Sequence, residues 1–445
     1  MQREQLRRLL EERTQNAAVA REQAAAEDAV TASRPIPESA YRFDRFPQYY
    51  QLHLHKTLSE RAGIRNPYFQ LHEGVARASS VIAGQTRLSY GTYNYLGLNG
   101  DPRLVEAMAE AASQYGISAG ASRLVAGERP PHRALEQALA ALHGVDEAVV
   151  FVSGHATNVS TIATLMGPRD LILHDRLVHN SAVQGALLSG AQRQAFPHND
   201  WQALDAILAE RRHQFEKVLI VVEGLYSMDG DLCPLDRLIE VKRRHKALLM
   251  VDEAHSMGVL GATGRGVAEH FGLPGSDVDI WMGTLSKSFA ACGGYIAGST
   301  ALIEILKFTA PGFVYSVGMP PPIAAVATRA VALMLAEPER IGRLRANARL
   351  FLALARERGL DTGLSGGYSI VPIITGRSVL AVKLSNALAD RGIDAPPIIY
   401  PAVEEQAARL RFFLTADHTE AQIRQTIGIL SVELARLLAE LEAAD

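Results

Sequence analysis

From about Thr86 to Ile323, short apolar runs alternate with amphipathic stretches. The runs "EAVVFV", "DLILH", "KVLIVVEG", "ALLMVDEA" and "DIWMGT" are each of strand length, and several are followed by a helical pattern. Continuous apolar runs mark strands buried on both faces, so this rhythm predicts βαβ units building a mostly parallel sheet with helices on either side. From Ala324 onward a long Ala/Leu/Arg helix pattern leads into shorter strands. The chain then closes on "AQIRQTIGILSVELARLLAELEAA", an amphipathic helix. That stretch reads as a smaller α/β domain.

The first 33 residues are rich in Ala, Glu, Arg and Gln, a helical composition with a weak apolar stripe, and "RPIPES" ends any helix there. The expected organisation is an arm over residues 1–45, helical or flexible. A segment over 46–85 packs with the small domain, a large α/β domain spans 86–323, and a small C-terminal domain spans 324–445.

Composition narrows the function classes. The chain has 445 residues, 48% hydrophobic and 21% charged, with a formal net charge of −3. That balance lacks the basic footprint of a nucleic-acid binder. Two cysteines, Cys233 and Cys292, imply no disulfide framework and point to a reducing, cytoplasmic setting. No apolar run reaches membrane-spanning length, and the charged start has no apolar signal core.

Ligands of open α/β sheets bind beyond the carboxyl ends of strands, so the residues after each run carry the chemistry. After "AVVFV" come Ser153, Gly154 and His155, in a run of mostly small residues opening a helix whose free N–H groups suit a phosphate, or simply a tight turn. After "DLILH" comes His179, placed to stack on a flat ring or to sit satisfied at a strand end. His174 and His179 lack a ligand-spaced third partner for a metal. Glu223 ends the next run and is followed by Ser227 in a turn sequence. Asp252 ends the run after that and leads into His255. "VDEAH" also resembles the magnesium motif of helicase-type ATPases, but no lysine in the chain follows a glycine, so no P-loop exists. Gly-x-Gly-x-x-Gly after a strand is missing too, which removes the nicotinamide reading. Lys287 lies in "GTLSKSFAACGG", among small residues that let a ligand approach its amine. A ring with a phosphate, an acid for its ring nitrogen and a lysine amine are the inventory for pyridoxal 5′-phosphate (PLP). Asp252 would keep the pyridine nitrogen protonated and Lys287 would hold the aldehyde.

With "YNYLGL", "SAGASRLVAGERPPHRALE", "FVSGHATN", "HDRLVHNS", "EGLYSMDGD", "VDEAHSMGVLGATGRG", "GTLSKSFAACGGYIAG" and "ARLRFFLTADHT" in this order, the chain resembles the α-oxoamine synthases, fold-type I PLP enzymes. The resemblance runs from about Asn66 to Leu430. It implies a large domain with a mostly parallel, seven-stranded-type sheet and a smaller α/β C-terminal domain. It implies Lys287 as the Schiff-base lysine, Asp252 as the pyridine-nitrogen partner and His179 as the histidine over the ring and an aid to condensation. His255 and Ser227 match residues near the ring hydroxyl, and Glu223 joins the cofactor set. Ser153, Gly154 and His155 match the phosphate-binding turn, with Thr284 as a second phosphate contact. Arg411 matches the arginine that grips the amino-acid carboxylate, with Arg409 as the alternative, and Tyr93 and Asn94 line the substrate.

Ser316 matches a residue reaching the partner subunit's phosphate, although Val317 replaces the adjacent hydroxyl the family often has. The site would then form at a homodimer interface. The implied reaction joins a small amino acid (serine, alanine or glycine) to an acyl thioester of coenzyme A or an acyl carrier protein. It loses carbon dioxide and gives an α-aminoketone. The motifs are similar to serine palmitoyltransferase and to synthases attached to polyketide pathways, where the N-terminal arm would dock a carrier. Formation of 8-amino-7-oxononanoate or a glycine C-acetyltransferase-like activity is the alternative. A non-catalytic partner subunit, which would lack Lys287, and a plain aminotransferase are further rivals.

Overall fold

A computed structural model describes residues 36–61 and 63–443 of the chain. The chain divides into two compact units, Met1–Asn66 and Pro67–Asp445. The described part of the first unit holds two short turns and the helix Pro47–Arg61, with Arg42 paired to Asp44 at 2.8 Å on the surface. Most of the expected arm, including the segment assigned to carrier docking, lies outside the described residues.

In the second unit the strands are β1 (His72–Glu73), β2 (Ser79–Ile82), β3 (Gln85–Ser89), β4 (Glu147–Phe151), β5 (Leu171–Asp175), β6 (Gln192–Phe196), β7 (Val218–Glu223), β8 (Leu248–Asp252), β9 (Ile280–Thr284), β10 (Gly294–Gly298), β11 (Ile370–Ile374), β12 (Ile393–Asp394), β13 (Pro397–Ile398) and β14 (Arg409–Phe413). The main sheet has seven strands in the order β4-β10-β9-β8-β7-β5-β6. Within it β10 pairs antiparallel with both neighbours, and the β9-β8-β7-β5-β6 pairings are all parallel. The mostly parallel sheet read from the apolar runs is therefore the sheet observed.

Both faces of this sheet are buried, which is why its strands carry continuous rather than alternating apolar residues. Val149, Ile172, Val221, Met250 and Met282 pack in one apolar cluster, and Val150, Leu173, Val222, Val251 and Trp281 pack in the other. Alternation along β8 places Asp252 on the face of Met250. Helix starts are written in local sequence. Ser153 caps the helix Gly154–Leu165, Ser299 caps Thr300–Thr309, and Thr419 with Gln422 forms a capping box on Glu420–Glu442.

Two smaller sheets complete the unit. β3 pairs in parallel with β12 through Leu88 and Ile393, so residues 72–89 join the C-terminal portion. The order β11-β14-β13 is antiparallel and presents Arg409 and Arg411 from β14. The helix Pro321–Ala336 packs on the helices Pro102–Tyr115 and Pro130–His143.

Candidate active site

Three adjacent parallel strands end in Glu223 (β7), Asp252 (β8) and Thr284 (β9), with Lys287 three residues beyond Thr284. Glu223 and Asp252 are direct register partners and both are buried. The Ser227 backbone N–H donates to Glu223 Oε2 at 3.0 Å, while Glu223 Oε1 is buried without a partner. Burial, with the Asp252 charge next, pushes the Glu223 carboxyl well above the usual carboxylate range. Burial pulls the Lys287 amine below its ordinary value, against the attraction of Asp252 and Glu223. Its Nζ lies 5.6 Å from the centre of the Tyr93 ring.

Asp252 is held by two donors: the Asn158 amide reaches Oδ2 at 2.9 Å and the Ala254 N–H reaches Oδ1 at 2.9 Å. The same Asn158 nitrogen contacts Ser181 Oγ at 2.9 Å, and Ser181 Oγ lies 2.7 Å from His179 Nδ1. The Ser181 backbone N–H also points at that ring nitrogen, at 3.3 Å. Two donors aimed at Nδ1 assign the ring proton of His179 to Nε2. Burial lowers the pKa of His179, which favours this neutral tautomer. A hydrogen-bonded chain thus runs from His179 through Ser181 and Asn158 to Asp252. Neither Asn158 nor Ser181 was singled out by sequence. Asn158 does lie one helical turn after Gly154, a spacing that aims it back at the strand ends.

Across the site, His255 Nδ1 lies 2.7 Å from the Tyr95 hydroxyl, and its ring is parallel to Phe413 at 6.2 Å. Burial, then the Lys287 and Arg411 charges, hold His255 neutral. Tyr93 meets Phe413 edge-on at 4.8 Å, and the Arg411 guanidinium lies 4.6 Å from the Phe413 ring centre. Arg411 Nη1 donates to the Ser227 carbonyl at 2.9 Å, while its Nε is buried and unpartnered.

The amide of Asn94 donates to the Ala76 carbonyl at 3.0 Å and its carbonyl accepts from the Asn99 N–H at 3.1 Å, so both ends of this side chain hold a turn. Arg409 is ion-paired to Asp229 at 2.8 Å and donates to the Met228 and Ala407 carbonyls, so its charge is spent inside the protein. Ser316 is half-buried, donates to the adjacent Val317 carbonyl at 3.2 Å and makes no hydrogen bond to the cluster around Lys287. His155 is exposed at the start of its helix.

The residues present fit PLP. Gly154 opens a helix against β9 and β10: a Cβ there would sit 3.1 Å from Thr284 Oγ1, and one on Gly294 would sit 2.6 Å from the Gly154 Cα. That close packing keeps side chains away from the helix N–H groups, as a phosphate site requires. Asp252 supplies a buried carboxylate for a ring nitrogen and Lys287 an amine of lowered pKa. The orphaned Glu223 Oε1 and Arg411 Nε are polar atoms that a ligand would satisfy. Among the described residues no group of three or more His, Cys, Asp or Glu is placed to hold a metal.

Comparison with known proteins agrees with this geometry. The family model for class I and II aminotransferases matches residues 84–430. The 8-amino-7-oxononanoate synthase of Symbiobacterium thermophilum is 40% identical over 369 residues, 83% of this chain and 93% of its own. The enzyme of that name from Pelobacter propionicus is 44% identical over 352 residues, 79% of this chain and 89% of its own. Among solved structures, Sphingomonas wittichii serine palmitoyltransferase superposes with a TM-score of 0.84 at 30% identity, covering 88% of this chain and 98% of its own. The serine palmitoyltransferase of S. paucimobilis, solved with a bound PLP–myriocin adduct, matches with the same TM-score, identity and coverage.

Proposed function

This chain belongs to the class I and II aminotransferase family, in its α-oxoamine synthase branch, and on that premise we propose that it is a PLP-dependent acyltransferase. It condenses a small amino acid (serine, alanine or glycine) with an acyl thioester and releases carbon dioxide, a free thiol and an α-aminoketone. The observation that carries this reading is the convergence of Lys287, Asp252, Glu223 and Arg411 in one buried cluster, with Glu223 Oε1 and Arg411 Nε lacking a hydrogen-bond partner.

Bound PLP supplies an aldehyde that captures amines and a protonated ring that accepts the electron pair left at an α-carbon. The residues of this chain do the rest. Lys287 Nζ would hold the aldehyde and, as a free amine, would take the proton from the amino acid's α-carbon. Asp252 keeps a proton on the ring nitrogen, and Asn158 and Ala254 hold that carboxylate in place. Arg411 grips the amino-acid carboxylate through its free Nε, steadied by the Ser227 carbonyl. The α-carbon then bonds to the thioester carbonyl carbon. The carbon–sulfur bond breaks, and its electron pair leaves on sulfur, which takes a proton from water to give the free thiol. His179 Nε2–H is the donor for the thioester oxygen as negative charge develops there. Finally the bond to the carboxyl carbon breaks, carbon dioxide departs, and a proton returns to the α-carbon.

Exposed Tyr315 and Val317 beside Ser316 support a homodimer in which that segment reaches the partner's site. Two unpaired cysteines support a cytoplasmic setting. We assign the cofactor to residues 86–323 and closure over the amino acid to residues 324–445, since Arg411 comes from β14. Formation of 8-amino-7-oxononanoate is the second reading, favoured by the name of the relatives at 40% identity and above.

The test is thiol release by the PLP-loaded protein with serine, alanine or glycine, each offered with coenzyme A and carrier-protein thioesters. One amino acid should stimulate release strongly. Release indifferent to every amino acid would overturn the reading. Removing residues 1–33 should impair only carrier-bound substrates; equal loss with both donors would end the docking role.

A further inference from the structure

Behind the site, on the face of the sheet opposite Asp252, one imidazole is clamped between two carboxylates. His198 Nδ1 lies 3.0 Å from Asp175 Oδ1 and its Nε2 lies 2.8 Å from Asp231 Oδ2. Both carboxylates are further anchored. Asp175 accepts the Leu177 N–H on Oδ1 and the Asn199 N–H on Oδ2, each at 2.8 Å, and Asp231 Oδ2 accepts the Asn199 amide at 2.8 Å. A neutral imidazole has one donor and one acceptor nitrogen, so it would turn a lone pair toward one of these acids. Only the doubly protonated ring satisfies both.

The two acids belong to the two turns that carry site residues. Asp175 ends β5 and begins the turn to His179. Asp231 closes the loop containing Ser227 by accepting the Tyr226 N–H on its carbonyl at 2.9 Å, beside the Leu225–Leu232 bridge. Ser227 in turn holds Arg411. The Tyr226 ring packs edge-on to His198 at 4.4 Å. The other titratable groups here, Tyr226 and Cys233, are held neutral because burial pushes both well above their ordinary values.

We propose that His198 is a positioning residue: as an imidazolium at neutral pH it bolts the His179 turn to the Ser227 turn, and so fixes the histidine and, through Ser227, the arginine on opposite sides of the substrate. The roles of His179 and Arg411 rest on the function proposed above; the charge state and the bolt do not.

The test uses the full-length protein. Ring ¹⁵N NMR, with His198→Gln assigning the signal, should show both nitrogens of His198 protonated at pH 7.5; a neutral tautomer would overturn the proposal. Hydrogen exchange of His198→Gln should accelerate at least about tenfold in residues 176–180 and 225–231 while the central strands β7, β8 and β9 keep wild-type rates. Unchanged turns, or acceleration spread evenly through the sheet, would refute a local bolt. In the PLP-loaded enzyme, kcat/KM for the amino acid should fall about tenfold or more with KM for the thioester unchanged. If His198→Gln does not fold, Asp231→Asn, which leaves the Asp175 contact intact, should loosen 225–231 more than 176–180. The reverse order would count against the proposal.

Discussion

Glu223 and Asp252 stand side by side at the ends of neighbouring parallel strands, two buried carboxyl groups on one face of the sheet beside a single lysine amine. Two adjacent acids in a dry site cannot both ionise cheaply, and here the burden falls on Glu223, whose pKa is raised. Asn158 and Ala254 donate to the Asp252 oxygens and hold that carboxyl group in place to face a ring nitrogen. Glu223→Gln removes an acid that, once ionised, raises the Lys287 pKa. The pH at which the apoprotein captures PLP should therefore shift downward, as read from the rate of covalent attachment against pH. An upward shift would contradict this electrostatic ordering.

In the wild-type protein, only the neutral Lys287 amine attacks an aldehyde, and its pKa lies below the ordinary lysine value of 10.5. Capture should rise with pH and level off well before that value. A rate still climbing at pH 10 would show an unperturbed lysine.

Asp252→Asn keeps the shape of the side chain but removes the charge that protonates a ring nitrogen. Loss of one charge-assisted bond is worth roughly 1.5–3 kcal/mol, so kcat should fall on the order of 100-fold with little change in melting temperature. A variant within a factor of two of wild type would remove Asp252 from its assigned role.

The two arginines of β14 should separate cleanly. Arg411→Lys should raise KM for the amino acid about tenfold or more, since a point charge replaces a fork, and leave KM for the thioester alone. Arg409→Lys should lower stability by about 1–3 kcal/mol through the Asp229 pair without that selective rise. Steady-state kinetics with thermal melts reads both.

Burial pulls the His198 pKa down, but its bonds to Asp175 and Asp231 outweigh this and raise it to about 9. A raised folded-state pKa stabilises fully below the unfolded value near 6.5 and loses that contribution as pH climbs through 9. The wild-type protein should thus lose about 2–3 kcal/mol between pH 6 and 10 that His198→Gln does not lose. Chemical denaturation at matched pH values measures the difference.

The main sheet was legible because its strands, buried on both faces, read as unbroken apolar runs. The strand-end stations at Asp252 and Lys287 followed from those runs. What sequence left open turns on contacts between distant segments. Arg409 and Arg411 share one face of β14, two residues apart, and only the position of the 228–229 turn decides which is consumed. Asn94 sits in a motif beside Tyr93, yet its amide closes a local turn. Asn158 and Ser181 come from different helices and meet only when both pack on the same sheet face. The two-residue strands β12 and β13 carry no periodic signal at all.

The decisive measurement uses carboxyl-labelled amino acid with the PLP-loaded protein and an acyl thioester, counting carbon dioxide and free thiol together. One carbon dioxide released per thiol, with both lost in Lys287→Ala, is the expected result. Transfer of the amino group to a keto acid, with no carbon dioxide and no thiol, would contradict it and make the protein an aminotransferase.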